Sequence, residues 1–188
     1  MRVAYADPPY PGCAHLYKDH PDYDGEVDHG KLLVDIACGG RYDGWLLHTS
    51  SVALPEVLKL CSTFGIDGFR VMAWVKPFAA FKRNVPVAYA WEPVLVKACR
   101  KPVVDEAMVY RDWVSEPITM QRGLVGAKPE RVCHWAFNVL GMEPDDELVD
   151  MFPGSGAVTR AWESWEAQRP LPYPPVPVPE PSEGPTDE

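Results

Sequence analysis

The sequence predicts an α/β domain with a largely parallel sheet, because short apolar runs alternate with segments of helical character along most of the chain.

No apolar run approaches the ~18 residues of a membrane-spanning helix. The five cysteines are widely spaced and form no C-x-x-C pair, as is typical of free thiols in a reducing cytoplasm. The first strand begins at residue 3, which leaves no room for a signal peptide. We therefore expect a cytoplasmic protein.

The predicted elements follow one another in a regular order. Strands are predicted at residues 3–6, 44–48, 69–76, 88–99 (interrupted near Pro93) and 147–152, with a further strand or hairpin arm at 107–114. Helices are predicted at residues 31–38, 54–61, 128–140 (with Pro129 at an early helical position) and from the glycine turn at 153–156 to about residue 168. These elements form one domain, residues 1–169. A proline-rich, acidic and disordered tail, residues 170–188, follows it.

A stiff turn follows the first predicted strand, with the sequence Asp7-Pro8-Pro9-Tyr10. Each proline fixes its own φ, and Pro9 also keeps Pro8 out of the helical region. One carboxylate and one aromatic ring are therefore held at a strand's carboxyl end, which suits a flat, hydrogen-bonding ligand. The competing interpretation is a plain proline turn, in which Asp7 bonds the backbone and Tyr10 packs on the sheet edge.

A second turn joins the last predicted strand to the last helix and contains Asp150, Phe152, Gly154, Ser155 and Gly156. Glycines let the backbone approach a ligand closely, and a helix N-terminus offers free N–H groups to an anionic group. The spacing does not complete G-x-G-x-x-G, and no Gly-Lys-Ser/Thr is present. A dinucleotide-binding oxidoreductase and a P-loop NTPase are therefore disfavoured.

Together the two turns resemble the motifs of the S-adenosylmethionine-dependent amino-methyltransferases, which act on the exocyclic amine of adenine or, less often, cytosine. Lys128-Pro129-Glu130 before the glycine turn also resembles that family, as does the order of motifs, which is a circular permutation in one of its classes. Trp74-Val75-Lys76 resembles a motif of the family branch that includes the mRNA adenosine methyltransferases. That branch has Trp at the position of Tyr10, so Tyr10 and Gly-Ser-Gly favour the DNA enzymes. The resemblance covers residues 3–165.

The resemblance implies a Rossmann-like class I methyltransferase sheet, circularly permuted and lacking the strands after the glycine-motif helix. It implies methylation of the N6 amine of adenine in DNA, with S-adenosylmethionine as cofactor. The Asp7 carboxylate and the Pro8 carbonyl would accept the two N–H groups of the amine, Pro9 would stiffen the turn, and Tyr10 would stack on the base. The cofactor would be held by Asp150, Phe152, Gly154, Ser155, Gly156 and Lys128.

The charge distribution bears on how such an enzyme would bind nucleic acid. The net charge is −9, yet residues 76–131 contain ten Lys/Arg against six Asp/Glu. A phosphate-binding face is therefore expected in that segment. Its candidate residues are Lys76, Lys82, Arg83, Arg100, Lys101 and Arg122. The histidines and Cys13 of the glycine- and proline-rich segment 11–30 match no metal-ligand spacing, so no metal site is predicted.

Two departures from the family leave alternatives open. The chain turns to proline where an acidic residue that binds the cofactor ribose would follow, leaving Glu163 or Glu166 as substitutes. Residues 100–127 are too short for a target-recognition domain, so sequence recognition would need their basic residues (Arg100, Lys101, Arg111 and Arg122), a protein partner or a homodimer. A catalytically silent methyltransferase-like subunit is the main alternative function. RNA adenine methylation and N4-cytosine methylation are lesser alternatives.

Overall fold

The computed structural model describes residues 1–18, 25–78, 85–102, 109–119 and 127–168. Its strands are β1 (Arg2–Ala6), β2 (Gly44–His48), β3 (Arg70–Val75), β4 (Trp91–Lys97), β5 (Trp113–Ser115) and β6 (Glu147–Asp150). Its α-helices are α1 (His29–Ala37), α2 (Leu54–Thr63), α3 (Glu130–Leu140) and α4 (Ala157–Gln168), and a short 3-10 helix spans Ala14–Tyr17. The predicted tail and the candidate residues Lys82, Arg83 and Arg122 lie outside the described residues.

The sheet has the strand order β5-β3-β4-β2-β1-β6. Strand β1 lies between β2 and β6 and is parallel to both, and β3 is parallel to β5. Strand β4 is antiparallel to β2 and β3, while the other five described strands point the same way, so the sheet is largely parallel as predicted. The described part of the connection from β3 to β4 contains no helix, whereas a parallel pair usually needs a helical crossover.

The predicted interruption of the fourth strand at Pro93 is wrong. Strand β4 runs through Pro93, whose carbonyl accepts a hydrogen bond from the Thr49 N–H at 3.1 Å. The predicted helix and strand after Lys128 are present, although Pro129 is the N-cap of α3 and not a helical residue.

Helices cover both faces of the sheet and divide the core into two clusters. Val3 and Tyr5 of β1 pack with residues of α3 and α4 on one face, while Ala4 and Ala6 pack with α1 and α2 on the other. Burial on both faces explains why β1 reads as a continuous apolar run. No helix among the described ranges is long and apolar enough to span a bilayer.

The strand directions bring several chain segments to one edge of the sheet. Strands β1, β2, β6 and β3 end at this edge, and the antiparallel β4 begins there. We call it the carboxyl edge. Helix α3 runs back from it and ends at Gly141, whose φ of +73° is a left-handed conformation that favours glycine.

Candidate active site

At the carboxyl edge, four neighbouring strands each carry a polar side chain on the face that packs against α3. Asp7 follows Val3 and Tyr5 in the alternation of β1, and His48 follows Leu46 in β2. Glu92 begins the row that continues with Val94 and Val96 in β4. Lys76 follows Met72 and Trp74 of β3. Because alternate residues of a strand share a face, all four side chains reach the same side of the sheet.

Lys128, two residues before α3, places its ammonium between two carboxylates of this row. Its Nζ lies 2.8 Å from Asp7 Oδ1 and 3.0 Å from Glu92 Oε1. The side chain is only 6% exposed. Burial by itself lowers the pKa of Lys128, but the charges of Asp7 and Glu92 outweigh it and raise this pKa well above its usual value. Lys128 is therefore a fixed cation near neutral pH.

Glu92 is the centre of this arrangement. Its carboxylate is 3% exposed, lies 2.8 Å from Lys76 Nζ and accepts a 2.7 Å hydrogen bond from His48 Nδ1. Burial raises the pKa of Glu92, but Lys128, His48 and Lys76 together hold it well below its usual value. We call Asp7, Lys76, Glu92 and Lys128 the strand-end ion cluster. Its two carboxylates and two ammonium groups balance, as buried charges require.

A hydrogen-bonded pair lies behind the cluster. His48 Nε2 is 2.8 Å from the Tyr5 hydroxyl, and both side chains are fully buried. Because Nδ1 faces a carboxylate, the proton belongs on Nδ1, and Nε2 accepts from Tyr5. Ligand atoms of Asp7, His48 and Glu92 lie within 4.8 Å of one another, a spacing that suits a cation. The Lys128 ammonium already lies between the two carboxylates.

Asp7 retains accepting capacity. Its side chain is 18% exposed, and its Oδ1 faces Lys128. Among the described residues no group donates a hydrogen bond to its Oδ2. An ionised carboxylate offers about four lone-pair sites, so Asp7 can accept further N–H groups from a ligand.

Tyr10 completes the turn and is half-buried. Burial raises its pKa well above the usual value; Lys128 opposes this shift, and the charges of Glu92 and Asp7 add to it. The phenol therefore stays neutral, and a hydrogen bond between its hydroxyl and Glu92 also raises this pKa. The Cys13 N–H closes the turn on the Tyr10 carbonyl at 2.8 Å.

The glycine turn lies beside the proline turn. Strand β6 pairs with β1 so that Asp150 stands opposite Tyr5, two residues before Asp7. The Asp150 carboxylate accepts hydrogen bonds from the Phe152 N–H and the Thr159 hydroxyl, both at 3.2 Å. Burial raises the pKa of Asp150; these two donors oppose the shift, and the charge of Asp7 adds to it. The influence of Asp7 reflects how near the two carboxylates lie.

The glycines of this turn have conformations that other residues avoid. Gly154 has φ +43° and Gly156 has φ +71°. A Cβ on Gly154 would meet only the Phe152 carbonyl oxygen within 4 Å, at 3.7 Å, so the turn is open on that side. The first turn of α4 carries no acidic residue. Arg160 Nη1 donates a 2.9 Å hydrogen bond to the Ser155 carbonyl, and Phe152 packs against the core cluster of α1 and α2.

The described candidates for phosphate binding do not gather at this edge. Lys76 is inside the strand-end ion cluster, with its Nζ 4.4 Å from the centroid of the Trp74 ring. Arg100 lies at the opposite edge, where its Nη1 and Nη2 contact Asp146 at 2.6 and 2.8 Å. Lys101, which is exposed, follows it in the chain.

Sequence reasoning missed Glu92, His48 and Tyr5. A signal for Glu92 was present, because it occupies the position that alternates with Val94 and Val96, where a buried face is expected. A charged residue in such a row needs a partner. Its partners lie on other strands and before α3, so only the strand order identifies them.

Comparison with known proteins supports the fold. No model of a known protein family and no curated protein matches the sequence. The solved structure of M1.HpyAVI in complex with SAM superimposes with a TM-score of 0.55 at 16% identity, covering 88% of this chain and 79% of that chain. M1.HpyAVI alone gives 0.51 at 16% identity, covering 88% and 76%. These similarities confirm the predicted Rossmann-like α/β fold.

Proposed function

We propose that this protein is an S-adenosylmethionine-dependent methyltransferase that modifies the exocyclic N6 amine of adenine in DNA. The observation that carries the proposal is the position of two turns at neighbouring strand ends. Asp7, with a carboxylate oxygen to spare, follows β1, and the glycine turn follows the adjacent β6. Ligands of open α/β sheets bind at strand carboxyl ends, so these turns would face one bound ligand pair.

The residues of the glycine turn fit the cofactor. The open side of Gly154 leaves room for a ligand, and the start of α4 has no acidic residue to repel a carboxylate. Asp150 Oδ1 and Oδ2 each accept one hydrogen bond and retain lone pairs for hydroxyl groups. Phe152, Gly154, Ser155, Gly156 and Lys128 complete the proposed set. When bound, S-adenosylmethionine would supply an electrophilic methyl group.

Asp7 and Pro8 would activate the amine. The lone pair of an aromatic amine is delocalised into the ring, which makes the nitrogen a poor nucleophile. Two acceptors on its two N–H groups favour a tetrahedral nitrogen and return the lone pair to it. The free oxygen of Asp7 and the Pro8 carbonyl are these acceptors, and the proline turn aims them in advance. The carboxylate also stabilises the positive charge that develops on the nitrogen.

Tyr10 would hold the base. Stacking of a base on an aromatic ring contributes on the order of 1–3 kcal/mol. A base in a duplex must first leave the stack at a cost of a few kcal/mol, which stacking and the hydrogen bonds to Asp7 would offset. Target recognition is assigned to a protein partner or a homodimer, because the described candidates for phosphate binding, Lys76, Arg100 and Lys101, do not gather at this edge.

A methyl-transfer assay tests the proposal. The protein is incubated with S-adenosylmethionine carrying a radiolabelled methyl group and with DNA or RNA, and the labelled nucleoside is identified after digestion. We expect N6-methyladenine from DNA, and Asp7→Ala should lower the rate by roughly 100-fold or more. The matched control is Asp146→Asn, which changes a buried carboxylate at the opposite edge and should transfer normally at a temperature where it is folded.

Each other result has a definite meaning. Equal transfer by Asp7→Ala contradicts the mechanism. Label in RNA adenine or in N4-methylcytosine replaces the proposed substrate. Cofactor binding in calorimetry without transfer to any nucleic acid identifies the catalytically silent subunit instead.

A further inference from the structure

We propose that Glu92 is a positioning residue of this site, which holds the Lys128 ammonium between two carboxylates and so keeps one oxygen of Asp7 free for the substrate amine. This inference rests on the proposed function and assigns a role to a buried residue that does not touch the substrate. Its basis is the set of contacts that converge on one carboxylate.

Glu92 occupies a position at which the alternation of β4 predicts a buried apolar side chain. It alternates with Val94 and Val96, and its side chain is 3% exposed. Burying a carboxylate is costly unless cations and hydrogen bonds compensate it. Here Lys76, His48 and Lys128 all compensate it, at 2.8, 2.7 and 3.0 Å. Three other chain segments therefore fix this one side chain.

The effect of Glu92 on Asp7 passes through Lys128. The ammonium has three N–H groups, and one carboxylate oxygen on each side holds it in place, Asp7 Oδ1 at 2.8 Å and Glu92 Oε1 at 3.0 Å. Without the negative charge of Glu92, Asp7 is the only carboxylate within ion-pair distance of Lys128 among the described residues. The ammonium is then free to move onto both oxygens of Asp7 and to compete with the substrate amine for them.

The surroundings of Lys128 strengthen this argument. The other charged group close to Glu92 is Lys76, which repels Lys128 and cannot replace the carboxylate. The Trp74 ring, whose centroid is 5.4 Å from Lys128 Nζ, offers a cation–π contact but no acceptor oxygen. His48 donates to Glu92 and therefore has no free acceptor on that side. In the described part of the chain no carboxylate other than Asp7 and Glu92 lies within ion-pair distance of Lys128, so Glu92 balances the pull of Asp7.

The test compares Glu92→Gln with Asp146→Asn. Glu92→Gln keeps the shape of the side chain but gives the buried cluster a net charge of +1. We expect kcat for methyl transfer to fall roughly 10- to 100-fold, because small displacements of aligned groups have effects of this size. KM for DNA should change less than about twofold, since Glu92 contacts no substrate group. Asp146→Asn should lower the thermal stability and leave kcat unchanged.

A spectroscopic measurement observes the positioning directly. In protein labelled with ¹⁵N-lysine, a buried and hydrogen-bonded ammonium should give a slowly exchanging NMR signal, assigned to Lys128 by its loss in Lys128→Arg. Glu92→Gln should shift or abolish that signal, whereas Asp146→Asn should preserve it. A folded Glu92→Gln protein with an unchanged Lys128 signal or an unchanged kcat overturns the proposal.

The two measurements separate this proposal from the proposed function. If the wild-type protein transfers no methyl group, the proposed function fails. The Lys128 signal alone then decides whether Glu92 fixes the ammonium. If transfer occurs and Asp7→Ala abolishes it while Glu92→Gln does not reduce kcat, the function stands and the positioning role fails.

Discussion

Two carboxylates at opposite edges of the sheet differ in how completely their hydrogen-bonding capacity is satisfied. Asp146, at the edge where β1 and β6 begin, accepts hydrogen bonds from the Met1 amino group, two Arg100 nitrogens and the Glu143 N–H. All these distances lie between 2.6 and 2.8 Å. Asp7, at the carboxyl edge, has one cation at 2.8 Å and, within the described part of the chain, no donor on its second oxygen.

The difference distinguishes a structural carboxylate from one that is able to bind a ligand. Four donors exhaust the accepting capacity of Asp146, so its role is to fasten the chain start to the β6 segment. Asp7 is also held at a strand end by a cation, but it keeps unused lone pairs and is partly exposed to solvent. Groups with unmet hydrogen-bonding capacity in a buried setting are where a ligand gains most.

The largest effect is expected from removing the cation shared by Asp7 and Glu92. Lys128→Met leaves two buried carboxylates facing each other without their common partner. We expect the free energy of unfolding to fall by about 3–5 kcal/mol, as when one member of a buried ion pair is removed. Urea denaturation near neutral pH measures the loss. A change below about 1 kcal/mol would show that the strand-end ion cluster is solvated and not buried.

A smaller and pH-dependent effect is expected at the opposite edge. The pKa of Asp146 is lowered from 3.8 to about 2; burial raises it, but Arg100 and the chain amino group outweigh burial. A carboxyl group with a lowered folded-state pKa stabilises the protein above its unfolded pKa and loses this contribution as the pH falls through the folded value. The shift corresponds to about 2 kcal/mol.

Asp146→Asn isolates this contribution. The difference in unfolding free energy between wild type and variant should be constant above pH 4 and shrink between about pH 4 and 2, as the linkage requires. Denaturation at several pH values measures it. A difference that stays constant down to pH 2 would contradict the assigned pKa.

The smallest effect is expected for an exposed pair near the same edge. Arg2 Nε lies 3.0 Å from Glu147 Oε1, with side chains 43% and 61% exposed. Exposed pairs contribute about 0–1 kcal/mol and are screened by salt. Glu147→Gln should therefore change the stability by less than about 1 kcal/mol, and the change should diminish in high salt. A loss of stability as large as that of Asp146→Asn would mean that burial does not determine how much an ion pair contributes to stability.

The sequence predicts those features that depend on a single segment. Residues 44–48 form the predicted strand, and the turns after Asp7 and Asp150 follow from local proline and glycine chemistry. The direction of β4 was not predictable from periodicity alone, because an apolar strand has the same pattern in either direction. Antiparallel pairing follows instead from how the chain returns between β3 and β4.

The site was predictable only in part, for a related reason. Asp7, Asp150 and Lys128 belong to recognisable local motifs. Glu92, His48 and Lys76 become a cluster only because β4 runs against its neighbours and places its first residues at the carboxyl edge. In a parallel β4 the same glutamate would lie at the opposite edge, far from Asp7. The ion cluster is thus a property of strand order and direction.

The pairing of β1 with β6 also has a kinetic consequence. Arg2 pairs with Glu147, and the Met1 amino group reaches Asp146, so contacts that join the start of the chain to its late part span about 145 residues. Pairings of such long range form slowly, because a large loop must close first. During synthesis β1 is made long before β6 and gains this neighbour only when residue 150 has left the ribosome. Strand β1 is thus completed late, and the Asp7 turn gains its neighbouring glycine turn at that step.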